Sequence, residues 1–235
     1  MGCSTVMTVR SYPAREDVNS VGVLAAWEDL PVRPLADVLR LWPEPDLSGV
    51  PDADEILLLA TVQPRTVWDE LRFGNQLTQT WDRVDPDRMT AYRWMSAQMT
   101  ARTGCPPGSA PLWLWARANT QTLMDDISWD PSDSVLLTVA IPAGRLVLSS
   151  HEGWHYVLNR AWCPAPNLDV PGRRSRTWPE LLTFEDLPVS EQQRVETSWG
   201  WTLVPELWSP AAPVQAVTSL VSAPDVVSAS RFALT

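Results

Sequence analysis

The stretch from Glu55 to Val62 is an apolar run built on Ile56-Leu57-Leu58-Leu59-Ala60, and Pro64 closes it. It shows no polar alternation and is only as long as one strand, so it reads as a buried β-strand. No other apolar run is longer, so no segment approaches the length needed to span a bilayer. The chain must fold around this strand and others like it.

The segments after it interleave strand and helix signals without regular alternation. A short helix is expected from Thr66, as its cap, through Phe73, ended by Gly74. Leu77–Trp81 reads as a second strand. Asp85-Pro86 opens a helix to about Arg102 with Met89, Tyr92, Met95 and Met99 on one stripe. Pro111–Arg117 alternates as a strand, with Trp113 and Trp115 on one face and Leu112 and Leu114 on the other. Ser134–Ile141 and Arg145–Leu148 read as strands joined by a hairpin-like turn around Pro142-Ala143-Gly144. Ser149-Ser150 offers an N-cap for a helix from His151 to about Trp162. A last helix is expected over Glu191–Trp199 and a last strand over Val214–Leu220. This pattern predicts an α+β fold, with a mixed or antiparallel sheet and flanking helices. Residues 1–55 form a Pro-rich N-terminal extension packed on the main body, 56–235, with one helical stretch from Pro34 to Trp42.

Composition excludes several kinds of chemistry. All 18 basic residues are arginine, and the formal net charge is −10. Without lysine, Schiff-base, pyridoxal-phosphate, Walker-type and protein-kinase chemistries lose their central group. No G-x-G-x-x-G occurs, so a Rossmann turn has no support. The negative field disfavours nucleic acid and suits a basic protein partner. Cys3, Cys105 and Cys163 are odd in number and scattered, which predicts free thiols in the cytoplasm. No signal peptide and no membrane anchor is expected. The chain has 14 tryptophans; most are expected in the core, and the other reading has them line a cleft for a flat ligand.

Both histidines lie in His151-Glu152-Gly153-Trp154-His155, a match to the H-E-x-x-H zinc pattern. On a helix, His151 and His155 share a face with Glu152 beside them, and Glu180 or Glu185 could supply a third ligand. Against a zinc hydrolase, the motif occupies the first turn of its helix and contains a glycine. In the alternative reading Trp154, Val157, Leu158 and Ala161 form the buried stripe. His151, His155 and Asn159 then form a polar stripe lining a cleft, where His155 handles a proton or orients a ligand. A Cys163–His155 pair is too widely spaced along the helix for direct contact.

Thr61-Val62-Gln63-Pro64-Arg65-Thr66-Val67-Trp68-Asp69-Glu70-Leu71, Ala91-Tyr92-Arg93-Trp94-Met95 and Pro111-Leu112-Trp113-Leu114-Trp115 appear in this order. They are followed by Leu146-Val147-Leu148-Ser149, Trp154-His155-Tyr156-Val157-Leu158-Asn159 and Val214-Gln215-Ala216. The series resembles the bacterial family known as domain of unknown function 3841, over residues 56–233. The resemblance implies that Trp154, His155 and Asn159 belong to the family pattern and that His151 stands where an aromatic residue is usual. The chain departs from that pattern over 119–126, where a basic stretch is expected; Arg117 or the arginines of 173–176 would then replace it. The order of elements also resembles ADP-ribosyltransferase-like folds. That likeness implies NAD as a possible cofactor, held by Gln63, Trp113 or Trp115, and Gln215. The expectation carried forward is a cleft binding a nucleotide-like flat polar ligand through Trp113, Trp115, Trp154, Asn159 and Arg117, with His155 and Gln63 as catalytic candidates. The alternatives are an NAD-using ADP-ribosyltransferase-like enzyme, an acidic interaction module (an antitoxin or charge mimic), and a zinc hydrolase.

Overall fold

The computed structural model describes residues 24–35, 37, 42, 45, 47, 49–126, 131–164 and 183–233. Its strands are β1 (Val32–Pro34), β2 (Ile56–Pro64), β3 (Leu112–Arg117), β4 (Ser134–Pro142), β5 (Val147–Ser150), β6 (Val214–Thr218) and β7 (Val226–Ala233). Its helices are α1 (Arg65–Arg72), α2 (Met89–Thr103), α3 (Thr120–Asp126), α4 (His151–Leu158) and α5 (Val189–Trp199). The seven strands form one sheet in the order β1-β7-β4-β2-β3-β6-β5. Only β1 with β7 is parallel; the other pairs are antiparallel. The fold is α+β on a single mixed sheet, as the interleaved pattern predicts.

The sheet buries both faces. On one, Leu57, Leu59, Leu112, Leu114, Val135, Leu137 and Ala216 pack with Trp68 and Leu71 of α1 and with Trp27. On the other face, the β3-β6-β5 half lies under α2, α4 and α5, with Met95, Met99, Trp154 and Trp199 against Val147 and Val217. The rest of that face is covered by Leu35, Trp42 and Leu123 around Ala60, Trp115 and Leu136. This two-sided burial is why β2 reads as an unbroken apolar run rather than an alternating one.

Several expectations need correction. Ser134–Ile141 and Arg145–Leu148 do not make a hairpin: β4 already has a partner on each side, β2 over nine residue pairs and β7 on the other. Residues 143–146 therefore take the chain to the far edge, where β5 pairs β6. Gly144 N–H donates to the Ala53 carbonyl (2.8 Å) and Ala143 N–H to that of Glu55 (2.8 Å), fixing the departure. Leu77–Trp81 makes only isolated bridges, Leu77 with Val221 and Gln79 with Ala110. Val214–Leu220 is not the last strand. β7 follows, unmarked by any apolar run because its Ser, Ala and Arg residues owe their conformation to pairing with β4 and β1. Pro64, not Thr66, sits at the N-cap of α1. α4 stops at Leu158 rather than Trp162, where Arg160 takes a positive φ of 52°. Most of the Pro34–Trp42 stretch lies outside the described residues; within it Leu35 and Trp42 are buried, and the Trp42 indole donates to the Leu58 carbonyl (3.0 Å). Among the described residues no helix is long and apolar enough to cross a membrane.

Candidate functional site

α4 begins directly at the end of β5, and its first turn is fully tied. The Gly153 N–H donates to the Ser150 hydroxyl (3.1 Å) and the His151 N–H to the Pro213 carbonyl (3.1 Å). Gly153 is where α4 meets the turn Gly200–Leu203; a Cβ there would lie 2.8 Å from Thr202 Cγ2. The glycine inside the His-Glu-Gly-Trp-His segment thus serves close packing, not metal chemistry.

The two sides of α4 have different surroundings. Trp154 and Val157 are buried. Trp154 lies 4.6 Å from Trp113 and 5.9 Å from Tyr92, ring centre to ring centre, so these rings fill the space between helix and sheet. On the polar side, the His151 ring is 5.1 Å from Trp115 and 4.7 Å from His155, which is exposed. Asn159 uses its amide N–H on the His155 carbonyl (2.7 Å), closing the C-terminal end of its own helix.

Beneath His151 runs a row in which the sequence singles out Trp115 and Gln215 as ligand candidates but reads Ser149 only as part of a cap. Trp115 is paired with Gln215, and Gln215 with Ser149, so the three side chains stand side by side on the helix-covered face. Ser149 is 0% exposed and Gln215 8%. The Ser149 hydroxyl and the Gln215 Oε1 have no hydrogen-bond partner. Buried polar atoms in that state are uncommon, and each costs about 1–3 kcal/mol. A signal was available: Ser149 and Gln215 are polar residues at the inward parity of strands whose neighbouring inward positions, Val147 and Val217, are apolar.

The remaining candidates are spread over the molecule. Gln63 lies three residues beyond Ala60, which is paired with Trp115. It therefore stands on the opposite face, away from Gln215, where it donates to the Thr61 hydroxyl (2.8 Å). The trio Gln63, Trp115 and Gln215 is not brought together. Arg117 donates from Nε to the Ala212 carbonyl (2.8 Å) and from Nη2 to that of Ser209 (3.3 Å), pinning the loop ahead of β6. Glu152 is exposed, Glu185 is ion-paired to Arg160, and Glu180 and the 173–176 arginines lie outside the described residues. Among the described residues no group of three His, Cys, Asp or Glu is placed to hold a metal ion. Cys163 is buried, and burial pushes its thiol up to about 11, the wrong direction for a nucleophile. An apolar groove of about 630 Å³ lies elsewhere, on the outer side of α2 between Met89, Ala97 and Pro107.

A single mixed sheet, helices over both faces and a polar corner at one sheet end define an α+β protein with a compact candidate ligand site. The family model for a domain of unknown function (DUF3841) matches residues 58–218, well over half the chain, and the protein belongs to that family. No curated protein and no solved structure matched the chain. The matched span contains α2, α4 and the whole Trp115–Gln215–Ser149 row.

Proposed function

We propose that the protein binds a small, flat, polar ligand of the nucleotide type at the corner formed by Trp115, His151, His155, Gln215 and Ser149. The observation that carries this reading is the pair of partnerless buried atoms, Ser149 Oγ and Gln215 Oε1, side by side on adjacent strands. A ligand that hydrogen-bonds them recovers a penalty the fold otherwise bears. His155, exposed, and His151, half-buried against the Trp115 ring, offer imidazole faces against which a flat molecule packs. His155, exposed at the rim, is the side chain positioned to exchange a proton with the ligand or to close over it.

A thermal-shift screen with nucleotides, NAD and free bases tests the reading. A ligand at about 100 times its Kd stabilises the fold by about 2.7 kcal/mol. For a chain of this length that is an upward shift of about 5–10 °C. His155→Ala is expected to weaken the response. A melting curve unmoved by every member of the screen refutes the proposal.

A further inference from the structure

We propose that the groove on the outer side of α2 is a binding site separate from the corner above, and that it takes a small monocarboxylic acid with an apolar body. The carboxylate sits on Arg93 and the body lies between α2 and Pro107. The groove has a volume of about 630 Å³, within the about 300–1,000 Å³ usual for small-molecule sites. Met89, Ala97, Ala101 and Pro107 line it, together with the half-buried Trp81. Its walls are already tied together. The Trp81 indole N–H donates to the Gly108 carbonyl (2.7 Å), and the Ser96 hydroxyl of α2 donates to the Ser109 carbonyl (2.7 Å). A groove formed in advance loses little in ordering itself around a ligand.

The polar groups of the lining decide which ligand fits. The Trp81 and Ser96 donors are used, and the Thr100 hydroxyl is paired with the Cys105 thiol (3.9 Å). Arg93 is exposed and, among the described residues, has neither a hydrogen bond nor an ion pair. The groove therefore offers apolar surface and one guanidinium. A guanidinium holds a carboxylate by two parallel N–H···O bonds. An apolar body that displaces water beside the pair strengthens it. Arg93 and Ala101 lie on one side of α2, about two turns or roughly 12 Å apart, which suits a medium-length alkyl or phenylalkyl chain. A dianion would bring a further charge of the wrong sign to a chain of net charge −10.

Isothermal titration calorimetry on the full chain tests this, with octanoate and phenylbutyrate as probes below their micellar range. Each acid is compared with its alcohol, and octanoate also with octylammonium and octyl phosphate. At least one acid is expected to bind about tenfold or more tighter than its alcohol, and octylammonium and octyl phosphate are expected to bind more weakly than octanoate. Arg93→Gln is expected to bring the acid down to the level of the alcohol. Ala97→Leu puts a bulky group into the groove from an exposed helix position and is expected to weaken acid and alcohol alike, about tenfold or more. Both variants are expected to keep the melting temperature; Ala101→Leu gives the same readout if Ala97→Leu disturbs the fold. Gln215→Leu is expected to leave this binding unchanged, which separates the groove from the corner. The proposal is overturned if an alcohol or octyl phosphate binds as tightly as the acid, if acid binding is untouched by Arg93→Gln or by Ala97→Leu, or if neither acid binds.

Discussion

Two rows of side chains cross the same three strands one step apart, on the same face, and they differ in kind. Trp113, Val217 and Val147 form the first; Trp115, Gln215 and Ser149 form the second. In the first row the side chains are a tryptophan and two valines that meet Trp154, Tyr92 or the methionines of α2, and the Trp113 indole N–H alone is a buried polar group without a partner. In the second, two of three side chains are polar, sealed in and without partners. The strands and the face are shared but the cover is not: the first row lies under α2, α4 and α5, and Trp115 of the second packs with Leu35, Trp42 and Leu123. The first row holds α4 to the sheet. The second gives up stability, as the proposed binding site would.

That contrast can be broken by substitution. Trp154→Ala empties the contact over the first row and is expected to cost about 3–5 kcal/mol in a denaturant titration. A loss under 1 kcal/mol would mean the row does not anchor the helix. Gly153→Ala drives a methyl into Thr202 and is expected to cost about 1–3 kcal/mol, partly restored by adding Thr202→Ser, which removes the Cγ2 it strikes. No recovery in the double variant would place the cost in the backbone of the turn instead.

Asp225 gives a pH test outside both rows. Burial works to raise its carboxyl, but the Arg145 guanidinium at 2.9 Å and the Ser222 hydrogen bonds outweigh it and hold the carboxyl below its ordinary value. A depressed carboxylate contributes stability that is present above its unfolded-state value and is lost as pH falls through the folded one. Asp225→Asn is therefore expected to lower stability at neutral pH by about 1 kcal/mol, since Arg145 is partly solvent-screened, and to flatten the acid limb of the stability curve. An unchanged acid limb would show that the ion pair adds nothing. The smallest effect is expected in the second row: Gln215→Leu changes stability by less than about 0.5 kcal/mol or raises it, because no hydrogen bond is lost. A loss above 2 kcal/mol would show that the amide is structural, and the contrast between the rows would disappear.

Local signals in the chain were enough for β2, the Met stripe of α2, the alternation of β3 and the start of α4 at Ser150, whose hydroxyl caps the helix as expected. Each depends on periodicity or capping within a few residues, where side-chain chemistry acts directly on the backbone. The corner itself was half legible. The sequence singles out His151, His155 and Trp115, but it offers Ser149 only as a cap and groups Gln215 with Gln63.

What the amino-acid order determined by itself was the strands β2 to β6, the helices α1, α2, α4 and α5, and which side chains share a face of each; β1, β7 and α3 carried no local signal. Which strand neighbours which was settled only in three dimensions. β4 fills both of its edges with β2 and β7 and sends β5 to the far side, and parity across β2 places Gln63 behind the sheet. Strand pairing is a competition among distant segments for the same backbone hydrogen bonds, and no local pattern records its outcome. That competition is what set Ser149 beside Gln215 and left both without a partner.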